Sequence, residues 1–254
     1  MVAAMTTASG LFTQFLTATA VLTRLPVGAS GAEGGVARSC WAFPLVGAGI
    51  GGICALALML ATLLGLGGGL AALLAVLAGI AVTGALHEDG LADTADGFGG
   101  GSDRDRKLAI MRDSRVGAYG VLALVLSIGL RAAALTSLGG ALEGALALIA
   151  AHAVSRALVT PGMRLLEATR PDGLGATAGT PGGAAVLTAL AIGAVVALAA
   201  LGPLRGAIAF VLSAMAVAAT AALACRQIGG YTGDVLGAFQ QIGEIVMLLA
   251  AAAK

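Results

Sequence analysis

Three aspartates, Asp89, Asp93 and Asp96, are spaced so that a helix would carry all of them on one face across two turns. Like charges that close are unfavourable unless a cation or a proton neutralises them. All-oxygen donors suit a hard cation, Mg²⁺ or Mn²⁺, and Mg²⁺ commonly takes one or two carboxylates and completes its shell with substrate phosphates. Glu88 points off that face. Gly97 and the run Gly99–Gly101 are expected to end the helix and leave backbone N–H groups open to a phosphate. Ser102 and Asp105 then read as a capping box opening a second short helix. On and just beyond it follow Arg104, Arg106, Lys107, Arg112 and Arg115. An acidic, metal-binding face beside a basic helix is what a diphosphate requires.

This segment is unlike the rest of the chain. Between His87 and Arg115 lie 7 of the 13 Asp and Glu and 5 of the 14 Lys and Arg. The remainder is mostly Ala, Leu, Gly and Val. The 254-residue chain is 59% hydrophobic and 11% charged, with a mean hydropathy of +1.00. Soluble domains carry about 25% charge. The composition therefore predicts an all-α, polytopic integral membrane bundle, read as a single domain over 1–254, with 88–116 as a cytoplasmic active-site segment. A net charge of +1 gives no reason to expect a nucleic-acid partner. Cys40, Cys54 and Cys225 lack metal-ligand spacing and read as free, buried thiols. The N-terminus lacks the basic stretch and cleavage site of a signal peptide, so none is expected.

The elements that must position these residues follow from hydropathy. Residues 11–25 are apolar but carry four threonines, Gln14 and Arg24, which predicts a half-inserted or interfacial helix ending at Pro26. Trp41 then stands where an interfacial anchor would. Spans are expected at about 41–65, 70–87, 117–138, 141–160, 185–202, 207–224 and 235–253, which makes six to seven transmembrane helices, the second running directly into the acidic helix. The glycine-rich face of the first span permits close helix contacts, within one chain or in a homo-oligomer. The short turns near 66–69, 139–140 and 203–206 hold one basic residue, Arg205. The other connections hold nine, and the positive-inside rule makes their side cytoplasmic, at the cell's inner membrane. The acidic segment, the 161–184 loop and the 225–234 segment then share one face.

Few polar groups interrupt the spans. Arg131 and Arg156 are costly in lipid unless paired or wet, which leaves helix pairing and substrate contact both open. His152 reads as a satisfied interhelical group. Glu244 is placed to pair with one of the arginines or to reach the site. In Gly229–Asp234, Asp234 suits either a helix N-cap or a group in a phosphate site.

Four stretches, His87–Gly97, Met111–Gly120, Arg170–Gly175 and Gly229–Ala238, together with Thr23–Val27 and Phe43–Gly47, resemble the cobalamin synthase family, the adenosylcobinamide-GDP ribazoletransferases. The likeness runs in order from near residue 11 to the end. It implies a membrane enzyme using Mg²⁺, whose partners are adenosylcobinamide-GDP, α-ribazole or its 5′-phosphate, and surrounding lipid. The products would be adenosylcobalamin or its 5′-phosphate, and GMP. Such a transfer depends on charge neutralisation and an in-line hydroxyl. Asp89, Asp93 and Asp96 are then the expected metal ligands. Arg104, Arg112, Ser114, Arg115, Arg164 and Thr232 are expected to bind substrate, with Arg112 and Arg115 on the transferred phosphoryl and leaving GMP. Asp96, Asp113 or Asp234 would take the proton of the attacking ribose hydroxyl.

Another membrane transferase on diphosphates, a CDP-alcohol phosphotransferase or an aspartate-rich prenyltransferase, is the alternative. Asp93 stands where the CDP-alcohol signature has Arg. A transporter would place its polar groups at mid-membrane rather than at one edge.

Overall fold

The computed structural model describes residues 2–28, 35–170 and 177–253, with side chains from residue 10 onward. Glu33 and the 171–176 part of the long loop, including most of the Arg170–Gly175 motif, lie outside the described residues. The architecture is all-helical: α1 (Val2–Leu22), α2 (Gly35–Ser39) leading through a 3₁₀ turn at Cys40–Ala42 into α3 (Phe43–Leu63), α4 (Gly68–Thr83), α5 (Leu86–Gly100), α6 (Arg104–Ile110), α7 (Ala118–Ser137), α8 (Ala141–Leu165), α9 (Gly183–Leu201), α10 (Pro203–Ile228) and α11 (Gly233–Ala252). Among the described residues six helices are long and apolar enough to cross a membrane, or seven if α4 and α5 count as one broken span. The expected spans match these helices within a few residues. The N-terminal helix, Val2–Leu22, reaches further back than the expected 11–25.

At the centre stands α8, with most of its length buried. It packs against α3, α9 and α11. Its buried face is rich in alanine, and small residues let helix backbones approach where lipid supplies no hydrophobic drive. On the glycine-rich face of α3, only part serves this contact. Gly51 abuts the α8 backbone at Leu148 and Ile149, whereas Gly49 and Gly52 face open space. Leucines and valines of α7, α9 and α10 point outward, among them Val125, Leu187 and Val211.

The acidic helix is not a straight extension of the second span. Between α4 and α5 the axis turns by 92°. Two consecutive residues in the left-handed region make the turn: Gly84 at φ +64° and Ala85 at φ +60°. Glycine adopts this conformation freely, but alanine pays about 1 kcal/mol or more for it. The backbone N–H of Arg24 donates to Val82 at 2.7 Å and lays the end of α1 over the break. The bend swings α5 across the bundle, between α7 and α11.

Crossing there, α5 enters a buried polar network. Glu244 of α11 accepts from Arg131 of α7 at 3.0 Å and from Arg156 of α8 at 3.2 Å. Glu88 of α5 accepts from the same Arg131 nitrogen at 3.1 Å. Gln241 bridges Glu88 and Ser127, and Gln240 bridges Glu244 and Ser155. His152 lies between Arg156 at 2.8 Å and Cys54 at 3.4 Å. Two carboxylates and two guanidinium groups balance, and each is nearly sealed from solvent. Charges in a low-dielectric bundle persist only with such partners. Helix pairing is thus what Arg131 does, and Glu244 pairs with both arginines.

Candidate active site

Position along α5 as well as around it sets each residue's role. At 100° per residue Asp89 and Asp96 differ by only 20° in direction but lie two turns apart, so Asp96 meets the start of α7 while Asp89 stands near the start of α11. The approach to α11 is close. A Cβ on Gly90 would stand 2.7 Å from the carbonyl oxygen of Asp234, and one on Gly237 would stand 3.1 Å from the Cα of Gly90. Paired glycines therefore bring Asp234 beside the acidic face.

The aspartates divide. Asp96 is buried and binds the start of α7: one carboxylate oxygen accepts from Gly117 N–H at 2.7 Å, the other from Gly120 N–H at 2.9 Å. It satisfies orphan donors at a helix N-terminus and complements its dipole. This is a different task from the metal ligation expected of it. Asp89 is exposed and Asp93 is half-buried. Asp93 lies within electrostatic reach of Asp89, Asp234 and Asp96, with Arg170 the opposing charge. The carboxylates that share the open side are thus Asp89, Asp93 and Asp234. Among the described residues no three His, Cys, Asp or Glu side chains are grouped so that they could hold a metal ion by themselves. Oxygen donors that leave coordination positions open fit a cation that shares its shell with phosphate and water.

The glycine run also departs from expectation. Helix α5 continues to Gly100, and the glycines make room for neighbours rather than baring N–H groups: Gly97 underlies Met111, and Gly99 underlies the Tyr119 ring. The cap of α6 is Asp103, one residue beyond Ser102. Asp103 accepts from Arg106 N–H at 2.9 Å, and Ser102 donates to it at 2.9 Å. Those two bonds, the backbone one foremost, hold Asp103 below the usual carboxylate range. Among the thiols, Cys40 and Cys54 are buried, but Cys225 is exposed, contrary to its expected burial.

Three loops meet at this rim. Arg104 donates to the carbonyls of Ile228 at 3.0 Å and Thr169 at 3.5 Å. Tyr231 N–H donates to Glu167, and Thr169 N–H to Tyr231, each at 2.9 Å, a one-residue bridge between the end of α8 and the Gly229–Thr232 turn. Arg170 crosses both, donating to Leu108 carbonyl at 2.8 Å and pairing with Asp234 at 3.4 Å. Thr232 caps α11 through Val235 N–H and donates to Asp234 at 3.1 Å. Sequence reasoning noticed Arg170 only as part of a motif and passed over it as a site residue. The adjacent Pro-Asp-Gly, a turn-favouring sequence, was the available signal.

The remaining candidates sit apart. Arg112, Ser114 and Arg115 are exposed between α6 and α7. Arg115 Nε donates to Asp113 at 2.9 Å, and that guanidinium holds the Asp113 carboxyl down at about 2. A carboxylate so weakly basic is a poor proton acceptor. Arg164 donates to Pro181 carbonyl at 2.8 Å.

Beneath the rim a cavity of about 280 Å³ runs between α1, α3, α5, α8 and α11. Asp89, Arg170, Thr232 and Asp234 stand at its polar end, and His87 and Arg156 line it as well. Asp93, Asp96, Asp113, Arg104, Arg112, Arg115 and Arg164 are not part of its wall.

A family model described as cobalamin-5-phosphate synthase matches residues 14–252. A protein of Bradyrhizobium diazoefficiens called adenosylcobinamide-GDP ribazoletransferase is 52% identical over 238 residues, covering 93% of this chain and 92% of its own length. Proteins of the same name from Mesorhizobium japonicum and Azorhizobium caulinodans are 46% and 49% identical, each over about nine-tenths of both chains. No solved structure matches. On the strength of a match that spans nearly the whole chain, this protein belongs to the cobalamin-5-phosphate synthase family.

Proposed function

We propose that the chain joins adenosylcobinamide-GDP to α-ribazole, or to its 5′-phosphate, giving adenosylcobalamin, or its 5′-phosphate, and GMP. The carrying observation is the convergence of Asp89, Asp234 and Arg170 at the mouth of a cavity, with Asp93 within their electrostatic reach, on a rim tied to the basic helix α6. Asp89 and Asp93 are the residues to hold Mg²⁺. When bound, the ion would neutralise the diphosphate and polarise its phosphoryl oxygens. Asp96 braces the start of α7, which fixes the loop carrying Arg112 and Arg115. Those arginines and Arg104 supply positive charge for the departing GMP. Arg170 lies against Asp234, where its guanidinium can orient a phosphate.

The ribose 3′-hydroxyl attacks the phosphorus attached to cobinamide. A new P–O bond forms, the bond to the GMP oxygen breaks, and the hydroxyl proton passes to Asp234. The outward leucines and valines contact lipid, and the positive-inside rule sets the rim in the cytoplasm, at the inner membrane. The test is purified protein in detergent or lipid, given both substrates with and without Mg²⁺, assayed for GMP and the corrinoid product. GMP release that needs both substrates and Mg²⁺ supports the reading. No release, or release without α-ribazole, overturns it.

A further inference from the structure

The cavity below the carboxylates has a character the diphosphate chemistry does not require. Its walls are apolar: Leu22 of α1, Phe43 of α3, Val159 and Met163 of α8, Leu236 of α11, and Ala178 of the loop before α9. Two buried polar side chains interrupt them, His87 and Arg156, at 5% and 1% exposure. An apolar pocket with a polar end is the usual form of a small-molecule site. We infer that this cavity is the subsite for the base of the acceptor nucleoside: a hydrophobic bicyclic heteroaromatic held by its ring faces and edges against these apolar walls.

Size and polarity select among the groups present in the reaction. About 280 Å³ admits a bicyclic ring but not a corrin macrocycle. Guanine would bury its amide and amino groups against Val159, Met163 and Leu236, where they find no partners. The dimethylbenzimidazole of α-ribazole presents methyl groups and ring faces to those walls and has one nitrogen acceptor. With the base in the cavity, its ribose lies at the polar end, beside Asp89, Arg170 and Asp234. The inference rests on the proposed reaction for the identity of the acceptor. The cavity geometry stands independently of it.

The experiment narrows the cavity from two walls, with Leu236→Trp and Ala178→Phe, and varies each substrate against saturating partner. Both variants are expected to raise the KM for α-ribazole at least about tenfold and to leave that for adenosylcobinamide-GDP within about twofold. An unchanged α-ribazole KM, or a rise confined to adenosylcobinamide-GDP, overturns the subsite. Should either variant fail to fold, wild-type protein decides. Free 5,6-dimethylbenzimidazole should compete with α-ribazole and not with adenosylcobinamide-GDP; inhibition competitive with the corrinoid nucleotide, or none, sinks the inference. If wild-type protein releases no GMP, the proposed reaction fails by itself. Equilibrium binding of 5,6-dimethylbenzimidazole to wild type and its loss in the variants then still settles the cavity's occupant.

Discussion

Glu88 and Asp89 are adjacent in sequence and end in opposite surroundings. Glu88 is sealed in the bundle, its charge matched by Arg131 and shared with Gln241. Asp89 is exposed on the next face, at the mouth of a cavity. The same contrast separates two sets of charges. Around Glu244, acid and base are equal in number and closely bonded, so the set needs no ligand to be stable. Around Asp93, carboxylates outnumber the cation within reach, so the set is stabilised by whatever positive charge arrives. Balanced buried charge holds helices together, and unbalanced charge at a rim is available for binding. The 100° step between successive helix residues lets one helix serve both sets.

The sharpest way to break the comparison is to unbalance the inner set. Glu244→Ala leaves two buried arginines with lost partners and should cost about 3–5 kcal/mol of stability. Thermal unfolding in detergent and folded yield would register it. A variant as stable as the parent would show that the network is not what joins α7, α8 and α11. On the rim the expected loss is of activity instead. Asp89→Asn and Asp93→Asn should each lower turnover by about 100-fold or more while leaving the unfolding temperature nearly unchanged. Near-normal turnover with the same Mg²⁺ requirement would remove these carboxylates from the metal site.

Asp96 tests the border between the two sets. As a cap for α7, its replacement by Ala should cost about 1–2 kcal/mol of stability, with the apparent Mg²⁺ affinity of the remaining activity retained. A large shift in Mg²⁺ demand at unchanged stability would return Asp96 to the ligands. Asp113 should matter least. Its folded pKa lies near 2, below the ordinary carboxylate value of 3.8, so its pairing with Arg115 favours the fold above about pH 4 and is lost as pH falls toward 2. No inflection in activity between pH 5 and 8 should disappear on Asp113→Asn. If one does, the carboxylate titrates in the reaction after all.

Much of the molecule was legible in the sequence. Apolar runs long enough to cross a bilayer fixed the helices. In such a medium backbone groups must be satisfied within the segment, so hydropathy reports secondary structure almost directly. The basic loops showed which connections share a face, and the structure joins them through Arg104, Arg170 and Tyr231. Spacing likewise placed Asp89, Asp93 and Asp96 on one side of a helix. It did not give Asp96 its role, because angular position says nothing of what lies opposite. Only the docking of α7 put two N–H groups within reach of that carboxylate. The run Gly97–Gly101 misled for the same reason. A glycine that frees a backbone and one that makes room for a side chain are identical in sequence.

The chain by itself therefore determined an all-helical membrane protein with an acidic-then-basic segment at one edge, since composition and periodicity are local properties. Tertiary structure decided the rest: the right-angle turn at Gly84–Ala85, the recruitment of Asp234 and Arg170 to the acidic face, the partnering of Glu88 in the bundle, and the cavity beneath. Each of these depends on distances between residues far apart in the chain, and those distances exist only once the helices have packed.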